Sequence, residues 1–311
     1  MEKPVDYVQE LTRLIKRYNE LSGSYLFIYN VSNENIDLDT QLNQNDYYAI
    51  REVLSDKKIS EKNIRKIDFY IETLGGKAEA VADIVEFLRS HFDEVNFVVT
   101  GEAKSAGTIL VLSGDNILMT ETGSLGTIDA QLEIRGSWIP TSSYMDYVLD
   151  KREEAKKHKL NRFDDKIISQ ISPGELCLVH HAQNFSSELI CNWLPKYKFK
   201  KLKLTDEKKR KKAVEVVRIL TDYSIWKTHK RSIKIKDLIK TVGLDVINLD
   251  TEVPKLTEVV YRIQALCLLW FGAYNQNIYK IFAAEDAIVF RNKPKPFFIP
   301  LHPPQPSPPS V

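Results

Sequence analysis

Two rhythms of apolar and polar positions run along this chain. Val8, Leu11, Ile15 and Tyr18 recur at helical spacing, so residues 4–20 are predicted to form an amphipathic helix. Tyr25 to Tyr29 is a short apolar run typical of a strand, residues 30–45 read as a polar loop, and a helix is predicted around 47–54. Lys66 to Glu72 reads as a buried strand closing on the pair Gly75-Gly76, and Val81, Ile84, Val85 and Leu88 mark a helix after it. Glu94 to Thr100 is a second strand, Ala106 to Leu112 a buried helix, and Asp115 to Met119 a third strand. Beyond about residue 130 the pattern turns helical. Pro140 opens a helix that ends in the charged run 150–159, residues 173–222 hold two or more helices, and a closing helix is predicted over 257–282. A strand at 287–291 and a proline-rich tail over 294–311, predicted to be disordered, complete the chain.

The candidate chemistry sits between the second strand and the buried helix, in Gly101-Glu-Ala-Lys-Ser105-Ala-Gly-Thr108. Ser105 falls at the start of that helix, where free backbone N–H groups and the helix dipole favour negative charge. Acyl transfer needs such a place for its oxyanion. The Ala106 N–H is one candidate donor, and Gly75-Gly76, ending the neighbouring strand, can bring a second because glycine lets the backbone approach closely. The structural alternative is that Ser105 is an N-cap, its hydroxyl accepting from the first helical turn.

The Gly-Gly strand end, the Ala-Lys-Ser-Ala-Gly-Thr turn, the Asp115 to Met119 strand and the segment Gly123 to Gln131 together resemble the serine dehydrogenase proteinase family of the Clp protease and crotonase fold group, alongside the signal peptide peptidase A enzymes. The resemblance is dense from about Tyr47 to Tyr147 and continues thinly in Trp226-Lys-Thr-His229 and Asp237 to Leu244. It implies an α/β fold of stacked ββα units with a helical C-terminal half. It also implies a metal-independent serine peptidase with Ser105 as nucleophile, an oxyanion hole from Gly75, Gly76 and Ala106, no cofactor, and assembly into a homo-oligomer.

A serine hydroxyl needs a neighbouring group to take its proton. In Clp-type relatives this is a histidine in the strand after the nucleophile helix; here the comparable place reads Ile128-Asp129-Ala130-Gln131, which removes the usual triad. Asp129 and His229 form one candidate pair, with the positions of base and carboxylate exchanged. Signal peptide peptidase relatives use a lysine, and Lys151, Lys156, Lys157, Lys159 and Lys166 fall in the matching range, in a run of mixed charge suited to a solvated helix. The blander reading makes Asp129 a turn cap and His229 a structural histidine. His180-His181 lacks a carboxylate or cysteine at ligand spacing and reads as helix surface.

Composition narrows the classes further. The 311 residues, 43% hydrophobic, suffice for one large α/β core with a helical extension. Cys177, Cys191 and Cys267 lack the paired spacing of a disulfide framework, which predicts reduced thiols and a cytoplasmic location. The charged start Met1 to Asp6 is unlike a secretory signal, and the longest apolar stretch, Ala265 to Tyr274, is too short to span a bilayer. Nothing in the sequence requires a membrane surface as partner. Net charge is +2, yet residues 196–240 hold 17 Lys and Arg against 5 Asp and Glu. Such a segment can contact nucleic acid; with only Tyr197 and Phe199 nearby for stacking and no recognisable binding module, a solvated basic face is the favoured reading.

These readings divide the chain into an N-terminal helix, strand and loop (1–46), a peptidase domain (47–250), a C-terminal helix and strand (251–293) and the tail (294–311). The leading function is a serine endopeptidase acting on peptides or proteins. The alternatives are a binding scaffold of the same fold without a base, an acyl-CoA enzyme, and a nucleic-acid-associated protein built on the basic segment. No Walker P-loop occurs, so ATP-driven unfolding would require a partner.

Overall fold

The computed structural model describes residues 6–33, 40–55, 59, 62–134, 137–274 and 278–292. The proline-rich segment 294–311 lies outside the described residues.

A seven-stranded mixed sheet carries the fold. Its parallel part is β1 (Tyr25–Val31), β2 (Lys66–Glu72), β3 (Glu94–Val99) and β5 (Asn116–Met119), edged by the two-residue β9 (Ile247–Asn248). Helices α1 (Tyr7–Ser22), α2 (Gln44–Val53), α3 (Ala78–His91) and α4 (Ala106–Leu112) alternate with these strands. β4 (Glu102–Ala103) and β6 (Ser124–Leu125) form a small parallel pair beside the main sheet, and β7 (Gln131–Ile134) with β8 (Ser137–Pro140) forms a hairpin.

Both faces of the sheet are buried, as expected of parallel strands covered by helices. Phe27, Phe69 and Phe97 occupy one register row across β1, β2 and β3, with ring centroids 4.8 and 5.5 Å apart. They pack into a core with α2, α3 and α4, while Leu26, Ile28, Tyr70 and Val98 face the opposite side and pack with α1. In α1 the buried stripe is Leu11, Leu14, Ile15 and Tyr18; Val8, expected on it, is 43% exposed because the stripe turns away within the first turn.

The C-terminal part is helical from α5 (Thr141–Lys156) through α6 (Arg162–Ile168), α7 (Pro173–Lys196), α8 (Asp206–Thr221) and α9 (Pro254–Leu269). The Asp237 to Leu244 segment is one π-helical turn, Leu238–Val242, stopped by Gly243 at φ 77°. The helix predicted over 257–282 is corrected: α9 passes through a π-helical turn, Trp270–Tyr274, and β10 (Ile278–Ala284) then returns antiparallel to β1, followed by β11 (Ala287–Asn292). The C-terminal part therefore re-enters the main sheet. Asn30 and Val31, expected in a loop, extend β1 along this added partner.

One charge pair fixes that return. Lys280, 1% exposed in β10, donates to both carboxylate oxygens of Asp46 on α2 at 2.9 Å and to the Gln41 carbonyl at 2.8 Å. Asp46 also accepts from the Tyr29 hydroxyl and the Asn43 N–H, both at 3.0 Å. Burial nevertheless pushes the Asp46 carboxyl above its usual range.

Candidate active site

β2 continues past Glu72 as an extended strap. The Thr73 N–H donates to the Glu102 carbonyl at 2.7 Å and the Lys104 N–H to the Thr73 carbonyl at 3.0 Å, which lays Glu102 to Lys104 alongside it. Gly75 and Gly76 lie between this turn and Leu42, whose N–H donates to the Gly75 carbonyl and whose carbonyl accepts from the Lys77 N–H, each at 2.8 Å. A β-carbon on Gly75 would stand 2.7 Å from Ser105 Cβ, 2.8 Å from the Lys104 carbonyl and 3.2 Å from the Ala106 nitrogen. On Gly76 it would run into the Leu42 backbone. The glycine pair is therefore what lets the strand end reach the serine.

Ser105 links β4 to α4 at φ 50°, ψ −117°, a positive-φ region that non-glycine residues rarely occupy. Its hydroxyl makes no capping bond to α4, and the side chain is half-buried. A serine on a strained strand-to-helix turn, with its hydroxyl not spent on capping the helix, resembles the arrangement of a nucleophile elbow. Among the described residues neither the Gly76 nor the Ala106 N–H donates to a protein acceptor, whereas the Gly75 N–H is engaged by Thr73 Oγ1 at 3.2 Å. Thr108 supports the turn from the first turn of α4: its hydroxyl donates to the Ala103 carbonyl at 2.7 Å and accepts from the Gly126 N–H at 2.8 Å.

The segment after β6 carries the next polar groups. Leu125 pairs antiparallel with Ile233, bringing 229–233 alongside 124–127. Thr127 Oγ1 donates to the His229 carbonyl at 3.2 Å and lies 3.2 Å from His229 Nδ1. When the hydroxyl gives its single proton to the carbonyl it can accept from an Nδ1–H, and that tautomer leaves the Nε2 lone pair of neutral His229 available. Burial lowers the His229 pKa below its ordinary value, holding the ring neutral near pH 7. Sequence reasoning had no signal for Thr127, whose role depends on a partner 102 positions away.

Asp129 is 3% exposed and sits over the start of α5, its Oδ1 accepting from the Thr141 hydroxyl and the Ser142 N–H at 3.1 Å. Among the described residues Oδ2 is buried with no hydrogen-bond partner, and burial raises the carboxyl pKa. Asp129 and His229 are thus brought to the same strand-like region, joined to it at Asp129 itself and at Thr127, and no hydrogen bond links them. Lys151 pairs with Glu154 at 2.9 Å and Asp164 at 3.3 Å, and those bonds raise its pKa. Lys156 pairs with Glu153, and Lys157, Lys159 and Lys166 are exposed. His180 and His181 lie exposed on α7, His180 Nε2 bonded to Asn184 at 2.9 Å.

A third charged group lies deeper. Lys104, immediately before Ser105, is only 6% exposed, and its ammonium donates to Ser232 Oγ at 2.9 Å and to Ser124 Oγ and the Leu125 carbonyl at 3.1 Å. Elsewhere the basic segment is largely solvated: the α8 run Lys208 to Lys212 is mostly exposed, with Lys211 paired to Glu207. Among the described residues no helix is long and apolar enough to cross a membrane.

Two uncharacterised proteins of Methanocaldococcus jannaschii are similar to the chain, one 31% identical over 204 residues, the other 28% over 189. These alignments cover 65% and 61% of the chain but 58% and 53% of the relatives, so the chain spans little more than half the length of the curated relatives it matches. Among solved structures, a mutant of the 1510-N membrane-bound stomatin-specific protease is similar with a TM-score of 0.38 at 14% identity, over 70% of this chain and 79% of that one. A second mutant of that protease, in complex with a substrate peptide, gives 0.41 at 17%, over 70% and 74%. The family profile is decisive: with its match running over residues 47–267, from α2 through Ser105, Asp129 and His229 into α9, the chain belongs to the ClpP-like SDH-type serine proteinase family.

Proposed function

We propose that the protein is a serine peptidase whose Ser105 attacks a peptide carbonyl and forms an acyl-enzyme. The observation that carries this reading is the backbone of Ser105, held at φ 50° on a strand-to-helix turn with its hydroxyl unused by the helix it precedes. The Oγ proton passes to Nε2 of His229 as the C–O bond forms, and the tetrahedral oxyanion is received by the N–H groups of Gly76 and Ala106. The intermediate collapses when His229 returns the proton to the leaving amine, and water, activated the same way, releases the acyl group. The unpaired Oδ2 of Asp129 supplies negative charge that stabilises the imidazolium. The substrate class is a peptide or protein, supported by the family; the working form is a homo-oligomer, as the resemblance to Clp-type enzymes implies, and the location the cytoplasm, in keeping with the free thiols.

A serine-directed fluorophosphonate tests the assignment. It should label the wild type and fail on Ser105→Ala, and His229→Ala should lose labelling as thoroughly. Loss in Lys151→Ala with undiminished labelling of His229→Ala establishes a lysine base instead. Equal labelling of wild type and Ser105→Ala, with no peptide cleaved, leaves the binding-scaffold alternative.

A further inference from the structure

We infer that Lys104 is a positioning residue for this site: its ammonium clamps the segment that carries Ser105 to the two segments that carry Thr127 and His229. The inference rests on the serine peptidase reading. β4 runs parallel to β6, with Glu102 opposite Ser124 and Ala103 opposite Leu125, and Leu125 in turn pairs with Ile233. Three extended segments thus lie side by side, and the Lys104 side chain crosses the middle one. Its stem passes under Gly126, where a β-carbon would stand 2.9 Å from Lys104 Cδ. Its ammonium bonds the middle segment at Ser124 Oγ and the Leu125 carbonyl, and the outer one at Ser232 Oγ, with the Arg231 carbonyl at 3.5 Å.

An ammonium has three protons, and three acceptors lie within 3.1 Å. As an ammonium the nitrogen has no lone pair, and its three N–H bonds are directed at these oxygens rather than at Ser105, which fits a positioning role better than that of base. What it controls is distance. The backbone of Lys104 leads directly into Ser105, and the segments it holds lead, two residues beyond Leu125 and three before Ser232, to Thr127 and His229. Loosening the clamp separates nucleophile from base without touching either.

The clamp is strongest while the ammonium is charged, because the neutral amine keeps only two N–H donors and its third partner must be a Ser124 or Ser232 hydroxyl that has turned to donate. The charged groups facing it are Glu102 on its own strand, 3.5 Å away, and Lys234 on the outer segment; β6 brings only hydroxyl and carbonyl oxygens. Burial lowers the Lys104 pKa, Glu102 opposes that shift and Lys234 adds to it. Activity should therefore fall on the alkaline side as Lys104 loses its proton, separately from the acid limb set by His229.

Two variants test this, with fluorophosphonate acylation rate and peptide cleavage measured against pH. Lys104→Met, close in volume but uncharged, should acylate about 100-fold more slowly, as expected for a small misplacement of reacting groups, with KM nearly unchanged. Glu102→Gln, at a partly exposed position, should move the alkaline limb to lower pH and leave the acid limb in place. Wild-type acylation by folded Lys104→Met, or an alkaline limb unmoved in Glu102→Gln, overturns the inference; if Lys104→Met does not fold, the second result decides. Labelling of Ser105→Ala at the wild-type level would overturn the serine reading and this inference with it. Loss of labelling in Ser105→Ala alongside full activity in Lys104→Met sinks the inference alone.

Discussion

Gly75 stands against Ser105 so closely that any β-carbon on the glycine would lie 2.7 Å from that of the serine. Its φ of 108° is also one that side chains disfavour. Gly75→Ala should therefore push the Ser105 turn away from the strand end. The expected result is loss of fluorophosphonate labelling together with a stability decrease of about 1–3 kcal/mol, from strain and overpacking, in urea denaturation. Full labelling in this variant would show that the close approach does not shape the site.

The Thr127 hydroxyl faces both the carbonyl and Nδ1 of His229, so it matters although it touches no reacting atom. Thr127→Val keeps the shape and removes the acceptor for Nδ1–H. The variant should fold and cleave peptide about 100-fold more slowly, the scale of a misdirected general base. In the wild type the imidazole must be neutral to act. Because burial lowers its pKa, activity should rise through a midpoint below the ordinary histidine value of about 6.5. A midpoint clearly above that value in the pH profile would count against His229.

Removing Lys280 leaves Asp46 buried without its cation. Lys280→Met should cost about 3–5 kcal/mol, measured by chemical denaturation, while Asp46→Asn combined with Lys280→Met should recover part of the loss. Equal stability of the single and double variants would mean the residual carboxylate is not the source of the cost.

Glu72, at the end of β2, is 6% exposed, and burial raises its carboxyl pKa to about 7 from 4.5. The folded chain thus holds this proton more tightly than the unfolded chain. The resulting stabilisation is fully present below about pH 4.5 and is lost as pH rises through about 7, a change of about 3 kcal/mol. Glu72→Gln should flatten that part of the stability profile and be the more stable form at pH 8. An unchanged profile would rule Glu72 out as its source.

The local parts of the site were legible in the sequence. Apolar spacing located α4 at its observed bounds, and the small-residue turn before it located Ser105, because strand, turn and helix are neighbours in the chain. Long-range groups were hidden. Lys280 reads as a polar interruption that spoils the alternation of β10, and its meaning depends on Asp46, 234 positions earlier, so a continuing helix was the simpler reading. Lys104 carries no signal of its role in the sequence because its acceptors, Ser124 and Ser232, lie 20 and 128 positions away. Thr127 and His229 illustrate the same limit. Periodicity reports which face of an element is buried, and it carries no information about which distant oxygen a buried donor will meet.

The pairing of β10 with β1 has a consequence for the order of synthesis. β1 leaves the ribosome well before its second neighbour, which is encoded some 250 residues later, at Ile278–Ala284. Until that strand emerges one edge of β1 stays open, and Asp46 waits without its cation. An exposed apolar strand edge is a template for association with other chains. The nascent protein should therefore be most prone to aggregate, or most dependent on chaperones, just before residues 278–292 emerge, and chains stopped short of Ile278 should be recovered mainly as insoluble material.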